Sequence, residues 1–345
     1  MAIIDKPSDY FNTVLYTGDG TSGRNITGVG FQPDWVWIKN RDNGARYHTL
    51  NDSVRGVNKQ LFSNRTNAEE TDTEQLQAFI SDGFTVGNNA NTNENTSGFV
   101  SWSWLAGGTA SSNTDGSITS SVSANTTSGF SIGTYNGTGA DNTVGHGLGV
   151  APDMIIVKCK STAHDWVVYH SALGSGKILT LNATTASQSA TGWQNTDPTS
   201  TVFSIDNAAN SLNQSGQSFV FYAMASKQGY SKFGSYTGNG NSDGTFVYTG
   251  FCPAFLIRKR TDSAVAWYLH DNKRDGYNVT QKWFSPNDSD AESTTQVELR
   301  VDFLSNGFKM RDPSGAANAS GGNYIYMAFA ENPFVSSTGV PATAR

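Results

Sequence analysis

Charge is scarce in this chain of 345 residues. Asp, Glu, Lys and Arg make up only 15% of it, well under the usual quarter. The net charge is −6, and no basic cluster exceeds Arg258-Lys259-Arg260. A nucleic-acid surface needs a basic stripe, so nucleic acid is not an expected partner. No apolar run reaches the length of a membrane span, and no membrane insertion is expected. The opening Met1-Ala2-Ile3-Ile4-Asp5-Lys6-Pro7 lacks the apolar core of a signal peptide. There are two cysteines, Cys159 and Cys252, at different offsets from the nearest sequence markers. They read as buried free thiols rather than a disulfide, which fits synthesis in a reducing cytoplasm. Convincing helical periodicity is also missing. The best stretch, Glu69 to Ile80, is a candidate for one helical turn or an irregular loop.

What the chain does have is Gly, Ser, Thr and Asn together with 8 Trp, 13 Tyr and 19 Phe in patterned runs. That combination excludes disorder and predicts short strands joined by tight turns. One stretch occurs three times: Gly30-Phe31-Gln32-Pro33 into Asp34-Trp35-Val36-Trp37-Ile38-Lys39, Gly149-Val150-Ala151-Pro152 into Asp153-Met154-Ile155-Ile156-Val157-Lys158, and Gly250-Phe251-Cys252-Pro253 into Ala254-Phe255-Leu256-Ile257-Arg258-Lys259. In each, Gly and Pro make a turn, and β-branched and aromatic residues then enter a strand that ends on a cation. Tyr16, Tyr135 and Tyr236 open a Tyr-x-Gly-x-Gly marker seventeen residues before each Pro, and Tyr47, Trp166 and Trp267 follow fourteen after it. Recurrence at fixed offsets is the signature of a tandem array.

The expected fold is all-β, an array of three small β-sandwich, jelly-roll-like domains. A lead-in covers residues 1–10, and repeat 1 covers 11–106. Residues 107–128 form a Ser/Thr/Gly linker, in which Ser117 to Ser123 alternates like an edge strand. Repeat 2 covers 129–226, repeat 3 covers 230–334, and 335–345 is an extended tail. The join Lys227-Gln228-Gly229 is short enough to force contact, which predicts a fixed, rod-like relation of repeats 2 and 3. Each repeat closes on an apolar strand, Phe99–Trp104, Phe219–Met224 and Tyr324–Phe329. The latter two are apolar on both faces and suit a strand covered on each side. The turn Ser81-Asp82-Gly83-Phe84-Thr85-Val86 recurs as Ser305 to Met310, with Ser204-Ile205-Asp206-Asn207 as its degraded middle copy.

Val144-Gly145-His146-Gly147-Leu148-Gly149 running into the second marker, and Tyr230 to Gly240 at the third, resemble a repeat domain of unassigned function. That domain occurs in virion structural proteins of marine tailed bacteriophages, cyanophages among them, often described as tail fibre or receptor-binding. The resemblance extends from Tyr16 to Phe334. It implies a particle component exposed to the outside, with other virion proteins and a host-surface glycan or outer-membrane protein as partners, and a homotrimer as the default assembly. No heptad shaft or anchor domain accompanies it, which leaves a capsid decoration or head-fibre role open.

Gly30, Gly149, Gly250, Pro33, Pro152 and Pro253 read as turn scaffold. Asp34 and Asp153 read as turn caps; Ala254 in the third copy excludes three equivalent metal sites. The aromatic and histidine residues following each marker (Tyr47 with His48, Trp166 with Tyr169 and His170, Trp267 with Tyr268 and His270) are candidates for stacking on a sugar ring. Core or inter-domain packing is the preferred alternative. The drifting offsets of the histidines argue against a metal, and Asn91, Asn93, Asn95 and Ser97 lack the closing acid of a calcium loop. Acidic residues (Glu69, Glu70, Glu74, Asp288, Asp290, Glu292) are scattered and give no hydrolytic pair. Gly137-Thr138-Gly139 lacks the following helix of a phosphate site. No enzyme activity and no cofactor are therefore expected, a glycan depolymerase being the enzymatic alternative.

Overall fold

The structure, a computed structural model, describes residues 3–207, 210–293 and 299–341. Repeat 1 contains β1 (Phe11–Thr17), β2 (Arg24–Thr27), β3 (Trp35–Asn40), β4 (Thr49–Asp52), β5 (Lys59–Phe62), β6 (Glu70–Thr71), β7 (Leu76–Ile80) and β8 (Gly83–Val86), then a one-turn helix α1 (Ala90–Asn93) and β9 (Gly98–Trp104). β10 (Ser111–Asn113) and β11 (Ser120–Asn125) follow. Repeat 2 contains β12 (Phe130–Asn136), β13 (Asn142–Gly145), β14 (Met154–Cys159), β15 (Val167–His170), β16 (Lys177–Thr180), β17 (Gln188–Ser189), β18 (Val202–Ile205), helix α2 (Asn210–Asn213) and β19 (Ser218–Met224). Repeat 3 contains β20 (Ser231–Thr237), β21 (Phe246–Tyr248), β22 (Phe251–Arg260), β23 (Trp267–Asp271), β24 (Val301–Leu304), β25 (Gly307–Met310) and β26 (Asn323–Pro333).

The all-β class is therefore as expected, distributed over several sheets. In every repeat the closing strand pairs between the first strand and the Pro-marked strand, giving β1-β9-β3-β4, β12-β19-β14-β15 and β20-β26-β22-β23. A second, smaller sheet covers one face: β2-β8-β7, β13-β18 and β21-β25-β24. The stretch expected as a linker over 107–128 instead supplies two strands, with β11 pairing directly onto β12. The helical candidate over Glu69–Ile80 is β6 and β7, because Leu76 faces the core and Phe79 pairs with Phe84. Phe203, Ser204 and Ile205 stand where Phe84, Thr85 and Val86 do, which moves the degraded turn four residues earlier than the sequence match placed it. The register rests on equivalent bonds, Gly87 N–H to Gln75 O and Asp206 N–H to Gly192 O.

Alternation along the closing strands decides the packing. Phe219, Phe221 and Ala223 enter a core private to repeat 2, whereas Val220, Tyr222 and Met224 point the other way. Tyr324, Tyr326 and Ala328 in repeat 3 alternate in the same manner with Ile325, Met327 and Phe329. Val100, Trp102 and Trp104 of repeat 1 join those outward sets in one hydrophobic cluster with Trp35, Met154, Ile156, Phe255 and Ile257. Trp35 stacks on Tyr222 with centroids 4.5 Å apart, and Trp104 meets Phe255 edge-on at 5.5 Å. The rod-like arrangement expected from the short join is thus incorrect. A sheet apolar on both faces needs two covers, and the second cover of each is the other two repeats.

Candidate functional site

The sequence markers are spent on scaffold. Tyr16, Tyr135 and Tyr236 donate their hydroxyls to the Thr92, Leu212 and Ala317 carbonyls at 2.6, 2.6 and 2.7 Å. They stack on Phe99, Phe219 and Tyr324 with centroids 4.7 to 5.1 Å apart. One residue on from each of those carbonyls, the buried amides of Asn93, Asn213 and Asn318 clamp the Gly-rich loop, each accepting a loop N–H at 2.9 to 3.0 Å and donating back to loop carbonyls. Asn93, weighed above with a calcium loop, is therefore an internal clamp, and its counterparts do recur. Gly30, Gly149 and Gly250 all have positive φ, as the turn requires, and Pro33, Pro152 and Pro253 are buried. The Asp34 and Asp153 carboxylates bond away from the turn they were expected to cap, accepting Ala106 N–H and Ser226 N–H just after the closing strands, both at 2.8 Å.

The candidate sugar-stacking residues lie inside. His48, Trp166, Tyr169, His170, Trp267, Tyr268 and His270 are all buried, and Tyr47 is half-buried beneath the Arg65 guanidinium. The seven buried rings leave no open face for a ligand to stack on. Three of these positions, Trp166, Trp267 and His48, fasten the repeats to one another in cyclic order. The Trp166 indole donates to the Phe62 carbonyl of repeat 1 at 2.9 Å, and the Trp267 indole to the Thr180 carbonyl of repeat 2 at 2.9 Å. His48 takes that place in repeat 1, with the Ser285 carbonyl of repeat 3 beside its ring. The N–H groups of His48, Trp166 and Trp267 all donate to an equivalent Asn (Asn64, Asn182 and Asn287). His48, and not Tyr47, is thus the counterpart of the two tryptophans, repeat 1 having one extra residue in its β3–β4 connection.

The strand-end cations obey the same cycle. Lys39 donates to Ser289 O of repeat 3, Lys158 to Thr66 O of repeat 1 and Lys259 to Thr184 O of repeat 2. Burial pushes all three ammonium groups down to about 8. Beside them the backbone bonds Glu69 N–H to Lys160 O, Ser187 N–H to Thr261 O and Glu292 N–H to Arg41 O close the seams. Two seams also hold buried ions. Asp52 pairs with Arg55 at 2.5 Å, Arg55 with Glu69 at 3.1 Å, and Tyr222 OH of repeat 2 donates to Asp52 at 2.7 Å. Asp271, Arg274 and Glu292 repeat this against Trp102 of repeat 1. At the third seam His170 stands where those aspartates are. It takes Ala172 N–H on Nδ1 and donates Nε2–H to Tyr326 O at 3.2 Å. Burial holds that imidazole down at about 4, hence neutral.

With the shared residues so occupied, a site must come from what differs among the repeats. The small sheet has three strands in repeats 1 and 3 but two in repeat 2. Where repeat 1 has β7, repeat 2 has a turn with Gln194 and Asn195 at positive φ, and Trp193 alone fills the position of Leu76. Next to that turn, between β15, β16, the segment 188–192 and α2, lies an open cleft of about 340 Å³. Val167, Ile178 and Leu212 form its apolar floor, and Asp165, Gln188, Thr191, Asn210 and Ser211 its polar rim. Asn182 holds the Asp165 carboxylate at 2.8 Å. An apolar floor with a few convergent polar groups suits a small neutral ligand such as one sugar ring. Sequence reasoning missed this cleft, since its lining residues lie in separate segments and share no motif. Among the described residues no group of His, Cys, Asp or Glu could hold a metal ion, and no helix is long and apolar enough to cross a membrane.

A family model described as a domain of unknown function, DUF7483, matches residues 6–333. No curated protein and no solved structure matches the chain.

Proposed function

The chain belongs to the DUF7483 family, and from that premise we propose that it is a structural protein of a bacteriophage virion, exposed in a tail fibre and engaging the host surface. It acts without catalysis, presenting loops and the repeat 2 cleft to a host glycan or outer-membrane protein. It is made in the host cytoplasm and resides on the particle with other virion proteins. Three small β-sandwich units, copied end to end, make its body, and homotrimeric fibres raise avidity without new contacts. The observation that carries this reading is the division of labour in the repeat: residues shared by the three copies are consumed by internal bonds, which leaves recognition to what varies, and repeat 2 carries an open cleft with an apolar floor and a polar rim. The resemblance of the marker runs to phage tail-fibre-like repeats supplies the setting.

A capsid-decoration or head-fibre role is the second reading. The closure of three repeats around one core favours it, because that makes a compact cap in place of a shaft. Antibody labelling of particles in micrographs separates tail from head. Competition of host adsorption by soluble host polysaccharide is expected under the first reading. Release of reducing ends from that polysaccharide by the purified protein would overturn the non-enzymatic one.

A further inference from the structure

The outer edge of the small sheet occurs three times and is treated differently each time. In repeat 2 the edge strand β13 is covered by the chain itself. Ile118 makes a parallel bridge with Val144, and its N–H donates to Thr143 O at 3.0 Å. Ser117 Oγ accepts Thr143 N–H at 2.8 Å, and the Ser120 hydroxyl donates to Gly145 O at 2.8 Å. The outward backbone groups of alternate residues 143 and 145 are thereby satisfied. In repeat 1 the same positions are Asn25 and Thr27, polar residues of the kind that blunt an edge. In repeat 3 they are Phe246 and Tyr248, by the matching pairs Thr143↔Ser204 and Phe246↔Lys309. Val247 between them is buried, while Phe246 and Tyr248 are 44% and 59% exposed. Among the described residues, no turn, loop or side-chain hydrogen bond reaches their outward carbonyls.

We propose that the β21 edge is a docking site for an extended segment of a different protein chain, added parallel to β21 as residues 116–118 are added to β13. Such a segment completes the sheet with main-chain bonds to Phe246 and Tyr248. It carries a small hydroxylated residue at the place of Ser117 and an apolar one at the place of Ile118, and the two rings close over it. The internal precedent fixes the kind of occupant: at the equivalent edge this fold already accepts a polypeptide segment running in that direction, through the parallel bridge of Ile118 with Val144 and the bonds of Ser117 to Thr143. Two adjacent exposed aromatics on an unpaired edge are otherwise a liability for aggregation. This inference stands whether or not the protein is a tail fibre, since it uses only the comparison among repeats.

The probe is a capped synthetic peptide of the chain's own residues 115–122, added at millimolar concentration to the full-length protein, with amide hydrogen exchange as readout. Slowed exchange confined to residues 245–249 is expected. Tyr248→Pro, which removes an outward N–H at an edge position where Pro is tolerated, should abolish it. The double variant Phe246→Asn, Tyr248→Thr installs the residues of repeat 1 and keeps the fold; it should weaken binding about tenfold. Unchanged exchange at 245–249, or protection that survives both variants, overturns the proposal. So does protection by host oligosaccharide where the peptide gives none, or protection that grows with protein concentration in the absence of peptide, which would mean a second copy is the occupant.

Discussion

The indole N–H of Trp166 in repeat 2 reaches the backbone carbonyl of Phe62 in repeat 1 at 2.9 Å, across the seam between them. Trp267 does the same to Thr180 one step further round. Bonds of this kind make the fold of each repeat depend on its neighbour. Trp166→Ala removes about 3 to 5 kcal/mol of packing and leaves the Phe62 carbonyl with only the Arg65 N–H at 3.2 Å. Because the cavity opens into the core shared by all three repeats, the whole chain should respond. Urea unfolding followed by fluorescence and by circular dichroism should show one coincident transition, moved to lower urea in the variant. Separate transitions, with only one displaced, would show that the repeats fold alone.

The buried asparagines give a local test. Asn318 accepts Asn239 N–H at 3.0 Å and donates to Asn241 O at 2.9 Å and Asp312 O at 3.1 Å. Asn318→Ala strands those loop groups in a buried place, at a cost of about 2 to 3 kcal/mol. Asn213→Ala should cost the same, its bonds being equivalent. Chemical denaturation of the two variants measures this, and a difference well beyond 1 kcal/mol between them would mean the clamp is not shared.

Burial of the basic groups sets how stability depends on pH. His170 is held down at about 4, against an ordinary value near 6.5. Between those values the unfolded chain binds a proton that the folded chain refuses. The contribution of His170 is therefore complete above pH 6.5 and lost as pH falls to 4, at no more than about 1.4 kcal/mol per pH unit. Lys158, held at about 8 by burial, has the same sign in a higher window: below pH 8 it is charged in both states, and stability rises from pH 8 toward 10. His170→Gln keeps a donor for Tyr326 O and should flatten the acid limb, while Lys158→Met should reduce the rise above pH 8. Melts from pH 4 to 10 on the three proteins check both limbs. A wild-type stability that falls between pH 8 and 9.5 would count against the lysine argument.

Much of the scaffold was legible because its determinants are local. Gly30 and Pro33 make a turn wherever they occur, and Tyr16 finds its carbonyl within its own repeat. The all-β class follows from the same short-range patterns. The shared core was less legible, although Val220, Tyr222 and Met224 already carried its signal as a second apolar face. A strand pattern says that a face must be covered and not by what, so three repeats in a row read as a rod. Trp166 and His170 read both as candidate sugar contacts and as packing residues, packing being preferred, for a related reason. An amphipathic ring suits a sugar platform and an inter-repeat seam equally well, and only the fold reveals which. The repeat 2 cleft left almost no trace, because its lining comes from separate segments, around Val167, Ile178, Thr191 and Ser211, that only the fold brings together.

That cleft supplies the last test. Thr191 sits on its rim, in a connection rather than a strand, and Ser211 lies opposite on α2. Thr191→Trp fills much of the open volume and lays its ring on the floor formed by Val167, Ile178 and Leu212 without removing any core or seam side chain. Its melting temperature should stay within about 2 °C of the parent, as expected of a surface change worth less than 0.5 kcal/mol. If the cleft holds a host sugar, adsorption of particles carrying the variant should fall at least about tenfold, equivalent to the loss of roughly 1.4 kcal/mol per contact. Avidity softens this loss in a multivalent fibre, so the purified protein should be titrated against host polysaccharide in parallel. Ser211→Ala removes a rim hydroxyl while leaving the volume open, and a smaller decrease of the same sign is expected. Full adsorption and unchanged polysaccharide binding by Thr191→Trp would remove the cleft from the recognition surface and leave the exposed loops to carry it.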